Sequence, residues 1–111
     1  MNEALRKKYI PMTETTYYTL LAVTTPRHGY AIMQFVGRLT QDRLLLGTGT
    51  LYTMVGRLAS DGIIQVLQED GKKSYLLTPV GMELLGEETK RLGQQLSDGL
   101  KILSGGAQTV D

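Results

Sequence analysis

The chain has no cysteine and no tryptophan, one histidine (His28) and one phenylalanine (Phe35). Without cysteine there is no disulfide framework, no thiol nucleophile and no zinc finger, a usage that fits a reducing, cytoplasmic setting. One imidazole without a thiolate leaves no ligand set for a protein-only transition-metal site, and no cofactor is expected. Long apolar runs are missing too. The longest, such as Leu44-Leu45-Leu46, fall far short of the roughly 18 residues of a membrane span, so no membrane association is expected. Arg6-Lys7-Lys8 is followed by no apolar stretch of the kind a secretory leader needs. Nor does one sign of charge dominate: 12 Lys and Arg stand against 11 Asp and Glu, so any polyanion-binding surface must be local. Residues 1–80 hold nine basic and six acidic side chains, residues 81–111 three and five. Catalysis lacks its parts: beside one histidine and no cysteine, the scattered carboxylates offer only the helical pair Glu87 and Glu88, which point to different sides of that helix.

What is present is enough for one core. A chain of 111 residues, 41% hydrophobic and 21% charged, reads as one globular domain. Pro11, Thr13 and Glu14 signal a helix start, and Tyr17, Leu20, Leu21 and Thr24 give a first helix to about Thr24. After the turn Pro26-Arg27-His28-Gly29, the spacing of Ile32, Phe35, Val36 and Leu39 predicts a second helix. Leu44–Leu46 reads as a brief extended segment leading into a third helix over about 49–60, capped by Thr48 or Thr50 and stopped by Gly62. Its buried stripe is Leu51, Met54, Val55 and Leu58. The period then alternates: Ile64 and Val66 face Tyr75 and Leu77 across Glu69-Asp70-Gly71-Lys72-Lys73, an antiparallel hairpin with a charged tip. Thr78-Pro79 restarts a helix carrying Leu85, Leu92, Leu96 and Leu103 along one side.

Helix, helix, short strand, helix, strand, charged turn, strand, helix is the order of a winged helix-turn-helix: α+β, mainly α, with a C-terminal dimerisation helix. The expected divisions are a basic arm over 1–11, the winged helix over 12–78, the dimerisation helix over 79–103 and a flexible tail over 104–111. The leucine stripe of the last helix outruns what one small domain can cover, so a homodimer is expected to bury Leu85, Leu92, Leu96 and Leu103.

At about 100° per residue, the third helix sets Gly49, Thr53, Gly56 and Ser60 opposite its apolar stripe, with Arg57 beside them and Thr50 and Tyr52 on the flanks. Such a small, hydroxylated, singly cationic face suits a major groove, where an arginine reads guanine bidentately and small residues permit close approach; it also suits plain solvent. Lys72 and Lys73 fit a phosphate contact beside that helix as well as a solubilising turn, and Arg6, Lys7 and Lys8 are open to the same two readings.

The runs Arg27-His28-Gly29-Tyr30-Ala31-Ile32, Leu46-Gly47-Thr48-Gly49-Thr50-Leu51-Tyr52, Arg57-Leu58, Asp61-Gly62-Ile63-Ile64 and Lys73-Ser74-Tyr75-Leu76-Leu77-Thr78-Pro79-Val80-Gly81 resemble the PadR family of bacterial transcriptional regulators over about residues 12–95. The resemblance implies a regulator of double-stranded DNA, dimeric through its C-terminal helix, binding a palindromic operator and acting as a repressor released by a small-molecule effector or stress signal. It places Tyr18, Tyr30, Thr50, Tyr52, Thr53, Arg57, Lys72 and Lys73 at the DNA; Tyr18, Tyr30 and Tyr52 would serve equally as half-buried ring anchors, and His28 as a turn residue. Met54, Val55 and Gly56 stand where family members often carry proline and larger polar residues, which leaves base specificity open. The single long C-terminal helix resembles the smaller subgroup, and without tryptophan a flat aromatic drug site lacks its best residues. The same fold used for protein interaction without DNA is the alternative.

Overall fold

Three helices begin where a side chain accepts amide protons that a first turn leaves without partners. The computed structural model describes residues 2–105. Asn2 caps α1 (Glu3–Tyr9), Thr13 caps α2 (Glu14–Ala22), and Thr78 caps α5 (Pro79–Leu103), whose first residue is the expected proline. Between them lie α3 (Gly29–Leu39), α4 (Thr48–Ser60), β1 (Ile64–Glu69) and β2 (Lys72–Leu77). The fold is a winged helix-turn-helix, mainly α, with one antiparallel hairpin as its wing.

The hairpin closes through Asp70 and Gly71, both at positive φ (50° and 75°), in the register Ile64 to Leu77 and Glu69 to Lys72. Two left-handed residues match the twist of the strands they join, which is why Asp-Gly sits there. Ile64, Tyr75 and Leu77 are buried, whereas Val66, expected on the inner face, is exposed although it pairs with the buried Tyr75. Leu20, Val23, Ile32, Val36, Leu51, Leu58, Ile63 and Leu84 fill the interior between α2, α3, α4 and α5. Each such side chain contributes roughly 1.5–3 kcal/mol of transfer free energy.

Several expectations change. Within the basic arm expected over 1–11, residues 2–11 are not free: α1 packs Tyr9 into the core, Arg6 Nε donates to Glu87 Oε1 at 2.7 Å, and Lys8 Nζ pairs with Asp61 Oδ2 at 2.7 Å. Contacts 81 and 52 residues away in sequence hold it, and these leave no local periodicity. Helix α2 stops at Ala22, and Thr24 is exposed; its inward face carries Thr16, Thr19, Leu20 and Ala22. The Thr16 hydroxyl meets Met54 Sδ at 3.6 Å, while Thr19 Oγ1 has no partner among the described residues. In α3, Leu39 is exposed and Phe35 half-buried, with Ile32 and Val36 carrying the core contact.

No strand forms at Leu44–Leu46. Thr40 Oγ1 instead donates to the Val36 carbonyl and lies 3.2 Å from both the Leu44 amide and its carbonyl, holding a loop. The third-strand position belongs to Arg27, whose backbone exchanges two hydrogen bonds with Tyr75 (3.2 and 2.8 Å). Neither Thr48 nor Thr50 caps α4; Gly47 holds the cap position, without a side-chain bond.

Helix α5 divides its leucines between two environments. Leu84 and Leu85 are buried in the chain's own core, so Leu85 does not belong to an outward stripe; Leu92 is half-buried, and Leu96 (62% exposed), Leu100 (58%) and Leu103 (87%) face outward. The winged-helix body extends one turn further along α5 than the leucine repeat suggests. Glu88, 1% exposed, anchors that turn: it accepts from Arg91 (2.7 and 2.9 Å) and from the Met12 amide (3.0 Å). The expected tail lies outside the described residues from 106 onward. No described helix is long and apolar enough to cross a membrane.

Candidate nucleic-acid interface

Helix α4 buries Leu51, Met54, Val55 and Leu58 and exposes Gly49, Thr50, Tyr52, Thr53, Gly56, Arg57 and Ser60, the division that 100° per residue predicts. The exposed side is a ridge between two clefts. On one flank Gly49, Thr50, Thr53 and Arg57 face Thr13, Thr15 and Thr16 at the amino end of α2 across about 560 Å³. On the other, Tyr52 faces His28, Gly29 and Tyr30 at the start of α3 and Lys72, Lys73 and Tyr75 of the wing across about 320 Å³.

Seven of the eight residues assigned to DNA thus line the two clefts: Thr50, Thr53 and Arg57 in the first, Tyr30, Tyr52, Lys72 and Lys73 in the second. Tyr18 lines neither. Its hydroxyl accepts from Arg43 Nη2 at 2.9 Å, and Arg43 also pairs with Glu14, so this ring is tied into the α2 surface. Thr13, Thr15 and His28 join the clefts without having been singled out as contacts. The sequence signal for the threonines is hydroxyls clustered around a helix start, read only as a cap.

The wing is fastened to the helices at three points. Leu77 donates its amide to the Val23 carbonyl at 2.8 Å, Tyr75 pairs with Arg27, and His28 Nδ1 donates to the Lys73 carbonyl at 2.8 Å. Lys73 is therefore placed by a histidine, which acts as a turn residue that also grips the wing.

Charge is distributed unevenly. The ion pairs among the described residues use Arg6, Lys8, Arg43 and Arg91 and leave out Arg57, Lys72 and Lys73, the three cations of the clefts. Arg27 stacks on Phe35 with Cζ 4.2 Å from the ring centre and donates to the Ala22 carbonyl, and it lines a separate groove with Arg38. The arginines of the chain do not all converge on one side. Below α4, Lys8 and then the Tyr9 hydroxyl hold the Asp61 carboxyl below its ordinary range, while burial and that same Asp61 push the Tyr9 phenol up to about 12. No group of three His, Asp or Glu residues suited to a metal occurs among the described residues.

A mixed polar ridge with cations on both flanks can position phosphates and read base edges; a hydrolytic site would instead need a base hydrogen-bonded to a nucleophile. The sequence profile of the transcriptional regulator PadR-like family matches residues 18–87. An uncharacterized 37.1 kDa protein in transposon TN4556 of Streptomyces fradiae is 36% identical over 70 residues, 62% of this chain and 20% of that protein, so the match spans about one fifth of that relative. A transcriptional regulator from Clostridium thermocellum shares the fold with a TM-score of 0.66 at 19% identity, over 91% of this chain and 96% of that one. A PadR family transcriptional regulator from Eggerthella lenta gives 0.61 at 25% identity, over 90% and 81%.

Proposed function

Because the chain belongs to the PadR-like family of transcriptional regulators, we propose that it binds a palindromic operator in double-stranded DNA as a cytoplasmic homodimer and represses transcription until a small-molecule effector or stress signal releases it. Helix α4 enters the major groove, Arg57 reads a base edge with Thr50 and Thr53 beside it, and Lys72 and Lys73 meet flanking phosphate. Tyr30 and Tyr52 line the wing-side cleft and offer hydroxyls to the backbone, and Tyr18 supports from α2. The observation that carries this reading is the ridge itself: the exposed side of α4 stands between two clefts that hold Arg57, Lys72 and Lys73, three cations that take part in none of the ion pairs among the described residues.

In this reading residues 12–78 form the DNA-binding unit and α5 beyond Arg91 the dimer contact, through Leu92, Leu96 and Leu103, joined by Leu100 and without Leu85. Two copies then present their α4 helices about 34 Å apart, one turn of the duplex. The glycines of α5, each costing roughly 1 kcal/mol against alanine, are offset by that burial.

The test is binding to the chain's own upstream DNA over a range of salt. Tight binding that weakens steeply with salt supports the regulator. No binding at low salt, to that duplex or to bulk DNA, overturns it and favours a protein-interaction module on the same fold.

A further inference from the structure

A carboxylate four residues on is within reach of an arginine on a helix surface, and Arg57 has one in Asp61, the C-cap of α4. No Arg57–Asp61 ion pair occurs among the described residues, and Arg57 is the smallest of the influences that lower the Asp61 carboxyl. Asp61 Oδ2 accepts from the Tyr9 hydroxyl at 2.5 Å and meets Lys8 Nζ at 2.7 Å. Both partners come from α1, not from α4. Arg57 instead leans toward the Tyr9 ring, Cζ 5.8 Å from its centre, and lines the cleft walled by Thr50 and Thr53.

We propose that α1 is a positioning element for DNA reading: Lys8 and Tyr9 occupy Asp61 and so keep the Arg57 guanidinium available to the groove. The proposal rests on the reading that Arg57 contacts DNA. If α1 let go, Asp61 would be free to take Arg57 as its partner, and the guanidinium would be drawn away from the groove. Helix α1 itself is fixed by α5, through Arg6 to Glu87 and through the Met12 amide to Glu88. The N-terminal segment thereby links the C-terminal helix to the reading residue.

The experiment uses the full chain, a duplex recovered by selection from random-sequence DNA, and a scrambled duplex of the same composition at one salt concentration. Lys8→Ala/Tyr9→Phe is expected to lower the ratio of selected to scrambled affinity about fivefold, and adding Asp61→Asn is expected to restore it to within about twofold of wild type. A structural role for α1 gives no such rescue, because Asp61→Asn returns none of its packing. Lys8→Met/Tyr9→Phe, which removes both partners of Asp61 and keeps the side-chain volumes, supplies the same comparison if the first double variant melts below the assay temperature. An unchanged ratio, or a loss that Asp61→Asn does not relieve, overturns the proposal. Arg57→Ala binding like wild type, or a pool that yields no sequence, overturns instead the DNA reading beneath it, and the proposal with it.

Discussion

Gly29 lies directly against the Tyr52 ring: a β-carbon at Gly29 would come within 2.8 Å of Tyr52 Cζ, nearer than two carbons pack. The first residue of α3 is thus small because α4 presents an aromatic to it, and the wing-side cleft takes its shape from that fit. Gly29→Ala should push the ring toward the lysines. Because the ring end can move and alanine favours a helix, stability should change by less than about 1 kcal/mol. DNA affinity should drop toward that of Tyr52→Ala. Melting curves beside a binding titration check this, and a Gly29→Ala variant that binds as wild type would refute it.

Lys72→Ala/Lys73→Ala and Arg57→Ala should fail differently. Phosphate contacts carry the salt dependence, so the lysine variant should lose affinity for all sequences and flatten the slope of log K against log salt by about 2. Arg57→Ala should cost about 1–3 kcal/mol on the preferred sequence and less on others. Equal losses on every duplex in both variants would argue against a reading role for Arg57.

At Gly81 the obstacle is less yielding. An added β-carbon would stand 2.6 Å from Leu77 Cδ1 and closer still to the Ile63 carbonyl, where α5 crosses the base of the wing. Gly81→Ala should destabilise by about 2 kcal/mol, read as a lower urea midpoint with an unchanged slope.

The two sides of the α5 stripe separate association from folding. Leu85→Ala should cost about 2–4 kcal/mol of stability and leave the oligomeric state alone, since Leu85 is buried within its own chain. On the proposed reading, Leu96→Asp should dissociate the homodimer while each chain keeps its helical circular dichroism. Sedimentation of the two variants decides, and a Leu96→Asp protein that still sediments as a dimer places the interface elsewhere.

Acid should loosen the joint between α5 and the amino end of α2. Arg91 holds the Glu88 carboxyl below its ordinary value, the Met12 amide adding to this and burial opposing it; Lys8 and Tyr9 do the same for Asp61. A lowered carboxyl stabilises the fold above its unfolded pKa of about 4, and that contribution disappears as pH falls through the lower folded value. Stability should therefore decline from about pH 5 downward, less steeply in Glu88→Gln. At the other end, the Tyr9 phenol, pushed up to about 12 chiefly by burial, stabilises the fold below its ordinary value near 10, and that contribution fades as pH rises through the folded value. Tyr9→Phe should lessen the alkaline decline, to which Tyr75, also raised by burial, contributes the rest.

Where inward-facing residues recur at one element's own period, the sequence was readable. The stripe of α4 and its exposed complement come from counting residues, and Asp70-Gly71 announces its turn because few other pairs accept two positive φ angles. Helix α1 was not readable, since Tyr9 and Arg6 gain their meaning from Asp61 and Glu87, far along the chain. Thr16 and Thr19 look like surface residues and are core, a tertiary choice that composition does not reveal. The third-strand position eluded pattern because one residue, Arg27, fills it. In the clefts, the α4 and wing residues could be assigned from periodicity and resemblance; Thr13, Thr15 and His28 enter through the neighbours they are folded against.

The bond from His28 to the Lys73 carbonyl makes the protein a fixed gauge. With the wing fastened at its base and again near its tip, the distance from the α4 ridge to the wing lysines is set before any duplex arrives. Compliance then falls to the DNA. On the proposed reading, sequences whose groove width already matches the gauge would bind at no bending cost, and stiffer or wider ones would be penalised at base pairs the protein never touches.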